Sequence, residues 1–176
     1  MDRRTQKKKV LIDVIIFLIK FNLLLLPFYA IIYFDVSSYP LQTAFTNFIA
    51  FILKSLNYQV KTSGFYLFIG KDEYPIDISM DCIGWKSVYS LFALVFATNF
   101  GKIKEKLKFL AIWMPVLFII NILRVLITLL IGLNFGMQHI EFVHTFLWQE
   151  VMIASIIIIW YFWLKKRKLN REKREN

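Results

Sequence analysis

Residues 109–133 read FLAIWMPVLFIINILRVLITLLIGL, an apolar run interrupted by a single charge, Arg124. About 20 helical residues cross a hydrocarbon core, so this stretch predicts a membrane-spanning helix. Working outward, residues 10–34, 83–100 and 145–164 predict three further spans. Residues 10–34 contain Asp13, Lys20 and Pro27. The run outlasts the apolar core of a signal peptide and no small-x-small cleavage site comes after it, which predicts a retained span. Residues 41–56, with Thr43, Thr46 and Asn47 interspersed, are short for a crossing and predict a helix lying in, or dipping into, the interface. Residues 59–81 alternate around the polar turn Gly70-Lys71-Asp72-Glu73 and predict two short strands. The resulting fold class is an all-α membrane protein. It is a multi-pass helical bundle with about four spanning helices, one interfacial or re-entrant helix and a small outer β-hairpin.

Composition agrees. Hydrophobic residues make up 58% of the chain and mean hydropathy is +0.56, above what an ordinary soluble domain carries. The formal charge of +10 invites a nucleic-acid reading, but the basic residues abut apolar runs. Arg3, Arg4 and Lys7 to Lys9 precede the first run, Lys102, Lys104, Lys106 and Lys108 separate two middle runs, and Lys165 to Arg174 come after the last. That is the positive-inside pattern, and no nucleic-acid partner is expected. With the three blocks inside, four crossings are self-consistent only if residues 41–56 do not cross. The expectation is one integral domain over residues 1–176 in the plasma membrane. Residues 1–9 and 165–176 are cytoplasmic ends, residues 57–81 an outer-face loop, and membrane lipids the surroundings.

Three residues then stand out. Cys82 is the only cysteine, which rules out an intramolecular disulfide and a cysteine-rich zinc site. It lies in Met80-Asp81-Cys82-Ile83-Gly84-Trp85-Lys86-Ser87, where a polar stretch meets an apolar helix. A helix N-terminus and Lys86 four residues on favour a thiolate there; Asp81 opposes it or caps the helix. A small apolar filler is the plainer reading of the same thiol. Arg124 is deep in its span, where an ionisable group is a functional hypothesis by default, and Glu150, at similar depth, is a candidate ion-pair partner that would make it structural. His144 sits at the start of the last span, as a proton carrier or as a solvated capping residue. His139 is five residues from His144, off its helix face, and no metal or cofactor site is expected.

In order and context these residues resemble the exosortase/archaeosortase family of membrane transpeptidases. Cys82-Ile83-Gly84, Asn121-x-x-Arg124 and the later His144 carry the resemblance, which runs from about Tyr58 to Trp163. Ile83 departs from it, many members having a small polar residue there. The resemblance implies catalytic roles for Cys82, Arg124 and His144 at the outer face, with no cofactor. It implies cleavage of a C-terminal sorting signal, made of a motif, a transmembrane helix and a basic tail, on secreted proteins. The new carboxyl end then passes to a lipid or other cell-surface acceptor through a Cys82 thioester. Two alternatives use the same residues differently: an intramembrane cysteine protease that releases its product to water, and a non-enzymatic assembly or accessory protein.

Overall fold

A computed structural model describes the backbone of residues 3–70, 73–99, 101–146 and 150–175, with side chains between residues 8 and 165. Lys71 and Asp72 of the polar turn, Phe100 at the end of the second predicted span, and residues 147–149 of the last one lie outside the described residues. Six helices are described: α1 (Arg3–Tyr33), α2 (Tyr39–Ser55), α3 (Trp85–Ala97), α4 (Ile103–Phe135), α5 (Ile140–Phe146) and α6 (Met152–Glu175). Three strands, β1 (Val60–Ser63), β2 (Tyr66–Ile69) and β3 (Tyr74–Asp77), and 3₁₀ turns at Met80–Ile83 and Met137–His139 complete the order.

Two helices are long and apolar enough to cross a membrane, Lys8–Tyr33 and Ile103–Phe135. The other two predicted spans are realised as shorter apolar helices, Trp85–Ala97 and Met152–Lys165. The 13 residues of α3 reach about 20 Å at 1.5 Å per residue, against a hydrocarbon core of about 30 Å. Its start is set by Gly84, whose φ of +84° ends the 3₁₀ turn before the α-helix begins. Within the last predicted span, the described residues are the end of α5 at Phe146, a π-helical stretch at residues 150–151 and α6 from Met152.

The chain divides into two compact units, residues 1–36, 88–114 and 156–176, and residues 37–87 and 115–155. In the first, the Tyr89 hydroxyl donates to the Leu24 carbonyl at 2.8 Å and Phe28 meets the Tyr89 ring. Phe17 stacks on Trp160, and Phe109 lies against the buried Trp163. Lys106, read from sequence as one of a basic block, is buried and donates to the carbonyls of Phe96 (3.1 Å) and Thr98 (2.6 Å). It thereby satisfies acceptors that the end of α3 leaves open.

The second unit carries the sheet. The predicted hairpin is a three-stranded antiparallel sheet of order β1-β2-β3, with Val60 opposite Ile69 and Tyr66 opposite Asp77. The two strands predicted on either side of Gly70-Lys71-Asp72-Glu73 are β2 and β3; the additional strand is β1, whose Val60-Lys61-Thr62-Ser63 holds a single apolar residue and so no alternation to read. Helix α2 buries Gln42, Phe45, Thr46, Ile49, Ala50 and Leu53, a stripe at helical spacing that covers β1 and β2. Its buried polar residues tie down the sheet: Gln42 Nε2 donates to the Ile78 carbonyl (3.4 Å) and Thr46 Oγ1 to the Phe65 carbonyl (3.3 Å). Leu67 and Ile69 from β2, Ile78, Cys82 and Ile83, and Val125 and Leu129 from α4 complete this core.

Leu67 is fully buried at its centre. Leu67→Ala is therefore expected to cost about 2–5 kcal/mol, read as a lower midpoint of thermal unfolding in detergent micelles.

Candidate active site

The 3₁₀ turn Met80–Ile83 sets the thiol. Ile78 anchors the incoming chain through its N–H to the Phe65 carbonyl (3.1 Å), and the Cys82 N–H closes the turn on the Ser79 carbonyl (3.0 Å). One such turn brings residues three apart onto the same side, so Ser79 Oγ lies 3.6 Å from Cys82 Sγ. Asn121 of α4, buried to 1% exposure, donates from Nδ2 to the Cys82 carbonyl at 2.8 Å. A Cβ at Gly84 would fall 2.6–2.9 Å from the Asn121 carboxamide. Glycine at 84 therefore answers both the left-handed backbone and the close approach of Asn121.

Helix α5 brings the imidazole. A Cβ on Gly132 would meet the Ile140 side chain at 2.5 Å, so a residue without a side chain lets α5 start close against α4. One turn further along α5, His144 is half-buried with Nε2 3.8 Å from Cys82 Sγ. The thiol donates across that gap when the imidazole carries its proton on Nδ1. Both residues line a cavity of about 440 Å³, shared with residues 74–79 and with Val125, Thr128 and Leu129 of α4.

Arg124 lies one position before Val125 and is 2% exposed. Nε, Nη1 and Nη2 are all buried with no hydrogen-bond partner among the described residues. It is not among the residues lining the cavity, yet it is close enough for its charge to act on both Cys82 and His144. The structure thus brings Cys82 and His144 into contact and sets the Arg124 charge beside them.

Two expectations are corrected. Glu150 is exposed and does not pair with Arg124. The depth match counted an α-helical rise from His144, whereas residues 150–151 are π-helical, with a wider turn that changes which way a side chain faces. Nor does the site favour a resting thiolate. Burial pushes the Cys82 thiol above its ordinary range, and the Ser79 hydrogen bond and the Arg124 charge only partly offset it. Cys82 sits in the 3₁₀ turn before α3 rather than at its N-terminus, and Lys86 Nζ donates to Asp81 Oδ2 at 2.7 Å. Burial, then the Arg124 charge, pulls the His144 imidazole below its ordinary range. At neutral pH the pair is a neutral thiol beside a neutral imidazole, an acid facing a free base.

Ser79 does not stand out in the sequence; the Ser79-x-x-Cys82 spacing is the one signal there to read. His139 is exposed and faces Gln138. Among the described residues no three His, Cys, Asp or Glu side chains converge as metal ligands.

A family model described as Transmembrane exosortase (Exosortase_EpsH) matches residues 10–161, extending the similarity back through α2 and α1. Comparison with curated proteins and with solved structures finds no match.

Gly84→Ala should lower stability by about 1–3 kcal/mol from backbone strain alone, and displacement of Asn121 adds to it; thermal unfolding in micelles measures the sum. The thiol's direction of shift sets a second outcome. Alkylation of Cys82 by iodoacetamide needs the thiolate, so its rate should still be climbing above pH 9.0, the ordinary thiol value. Arg124→Met removes a charge that favours the thiolate and should move that midpoint higher. A plateau reached by pH 7 would contradict the neutral resting thiol.

Proposed function

The chain belongs to the transmembrane exosortase family, and on that premise we propose that it is a membrane-embedded cysteine transpeptidase. It cleaves the C-terminal sorting signal of secreted proteins and transfers the new carboxyl end to a membrane or cell-surface acceptor. The observation that carries the reading is the Cys82 Sγ to His144 Nε2 contact of 3.8 Å at the cavity, beside a buried guanidinium without a hydrogen-bond partner among the described residues. On this reading the cavity opens at the outer face, where sorting signals arrive, and the basic blocks keep both termini in the cytoplasm.

In this reaction neutral His144 takes the thiol proton as Cys82 Sγ attacks the scissile carbonyl. Negative charge passes from sulfur to the carbonyl oxygen. Arg124 stabilises it, a preorganised cation being worth most where water is scarce. Collapse of the tetrahedral intermediate breaks the C–N bond, and the imidazolium gives its proton to the departing amine of the signal helix. The acyl group remains on Cys82 as a thioester. A lipid hydroxyl or amine then attacks, its proton goes to His144, and the thiol is regenerated. Both proton transfers suit a base that is free at neutral pH.

Substrate processing in cells tests the reading, with membrane levels of each variant checked in parallel. Cys82→Ala should insert normally and leave substrate uncleaved. His144→Ala should slow processing by on the order of 10² to 10⁴. Arg124→Lys should also fail, because a point charge on a flexible stem does not reproduce a planar guanidinium. Full processing by Cys82→Ala at normal membrane levels would refute the nucleophile and favour an accessory role. A product whose mass is that of a free acid would favour hydrolysis over transfer.

A further inference from the structure

A sheet edge forms part of the cavity wall. Residues 74–79, all of β3 and the next two, line it in succession, and Cys82 lies at the end of that row. The sheet order β1-β2-β3 leaves β3 paired on one side only among the described residues. Its register says which main-chain groups point where. Antiparallel pairs alternate between hydrogen-bonded and non-hydrogen-bonded, and the Ile78 N–H bonds to the Phe65 carbonyl. Continuing that register, Ile76 opposite Leu67 and Tyr74 opposite Ile69 also turn their main-chain groups toward β2. Pro75 and Asp77 therefore turn theirs toward the free edge. Asp77 offers an N–H and a carbonyl, and Pro75 a carbonyl alone.

A segment that delivers a carbonyl to Cys82 must occupy this cavity, and its own amides need partners once water is displaced. The groups available along the approach are those of the β3 edge. Resting on the transpeptidase reading above, we propose that the β3 edge binds the substrate stretch just before the scissile bond as an added fourth strand. Main-chain bonds to Asp77 and to the Pro75 carbonyl hold it and lead its scissile carbonyl to Cys82. Strand addition of this kind draws affinity from the backbone and leaves sequence choice to pockets for alternate side chains. Pro75 limits the edge to a short pairing site, since a proline blunts open-ended pairing along an exposed edge.

The test uses the full-length protein in lipid nanodiscs and a defined probe, acetyl-tetra-alanyl chloromethyl ketone. Cys82 sulfur forms a C–S bond with its methylene carbon and chloride leaves. Four further probes each carry one backbone N-methyl group, and every rate is divided by the iodoacetamide rate of the same protein. An added strand pairs through alternate residues, so N-methylation should slow alkylation about tenfold, the worth of roughly one hydrogen bond, at alternate positions only. Asp77→Pro removes the outward N–H that donates to a substrate carbonyl, so it should slow the unmethylated probe about tenfold relative to iodoacetamide and leave the alternation, which reads the Pro75 and Asp77 carbonyls, in place. Equal rates for all five probes, or a uniform slowing without alternation, would overturn the edge pairing and leave the Cys82 nucleophile standing. Failure of both iodoacetamide and the peptide probe to label Cys82 in the folded protein would overturn the two together.

Discussion

The site depends on one hydrogen bond, from Asn121 Nδ2 to the Cys82 carbonyl. It joins the long helix α4 to the 3₁₀ turn that carries the thiol. The bond is buried, so a lost donor would leave the carbonyl unsatisfied in an apolar setting at a cost of about 1–3 kcal/mol. It also dictates the residue at position 84, because the Asn121 carboxamide fills the space that any Cβ there would need. Asn121 is one helical turn from Arg124. The helix that clamps the Cys82 backbone therefore also carries the Arg124 cation, and the two are fixed relative to each other by α-helical geometry.

The charge balance around that frame is unusual for a resting protein. A buried guanidinium with no hydrogen-bond partner is expensive, and most proteins answer it with a carboxylate. Here Glu150 is exposed, and Asp81, the acid nearest the turn, accepts from Lys86. A carboxylate paired with Arg124 would neutralise the field that favours negative charge on sulfur. In the proposed reaction the cation is compensated when charge develops, first on the thiolate and then on the oxyanion, so the ground-state cost is returned in the transition state.

How much of the fold and the site is legible in the sequence depends on the range of each signal. Apolar run length and lysine placement are local, and they lead to a helical membrane protein. Cys82, Arg124 and His144 emerge through order and context, by resemblance. Ion pairing is misjudged because depth counted along a helix does not say which way a side chain faces, and Glu150 is exposed at a π-helical position. The raised thiol escapes for a related reason. Helix N-terminus and Lys86 are features of sequence proximity, whereas burial by Ile83, Val125 and Leu129 is a product of packing. Lys106 shows the same limit from the other side, since a residue counted as a surface charge is spent on the carbonyls at the end of α3.

The sheet is the part that a helical membrane protein has least obvious need of. A helix satisfies its own main chain, so it can meet a peptide only through side chains. A strand at a sheet edge still has N–H and C=O groups to offer, and β3 offers them in the same cavity as the thiol. The direct run of the chain from β3 through Ser79 to Cys82 then has a mechanical use. On the proposed reading, the residues that pair with an extended substrate and the residue that attacks it lie on one short, covalently continuous segment, anchored by Gln42 at Ile78 and by Asn121 at Cys82. Positional error between binding and chemistry is thereby confined to a few torsions, and small misplacements are costly in reactions that depend on close approach.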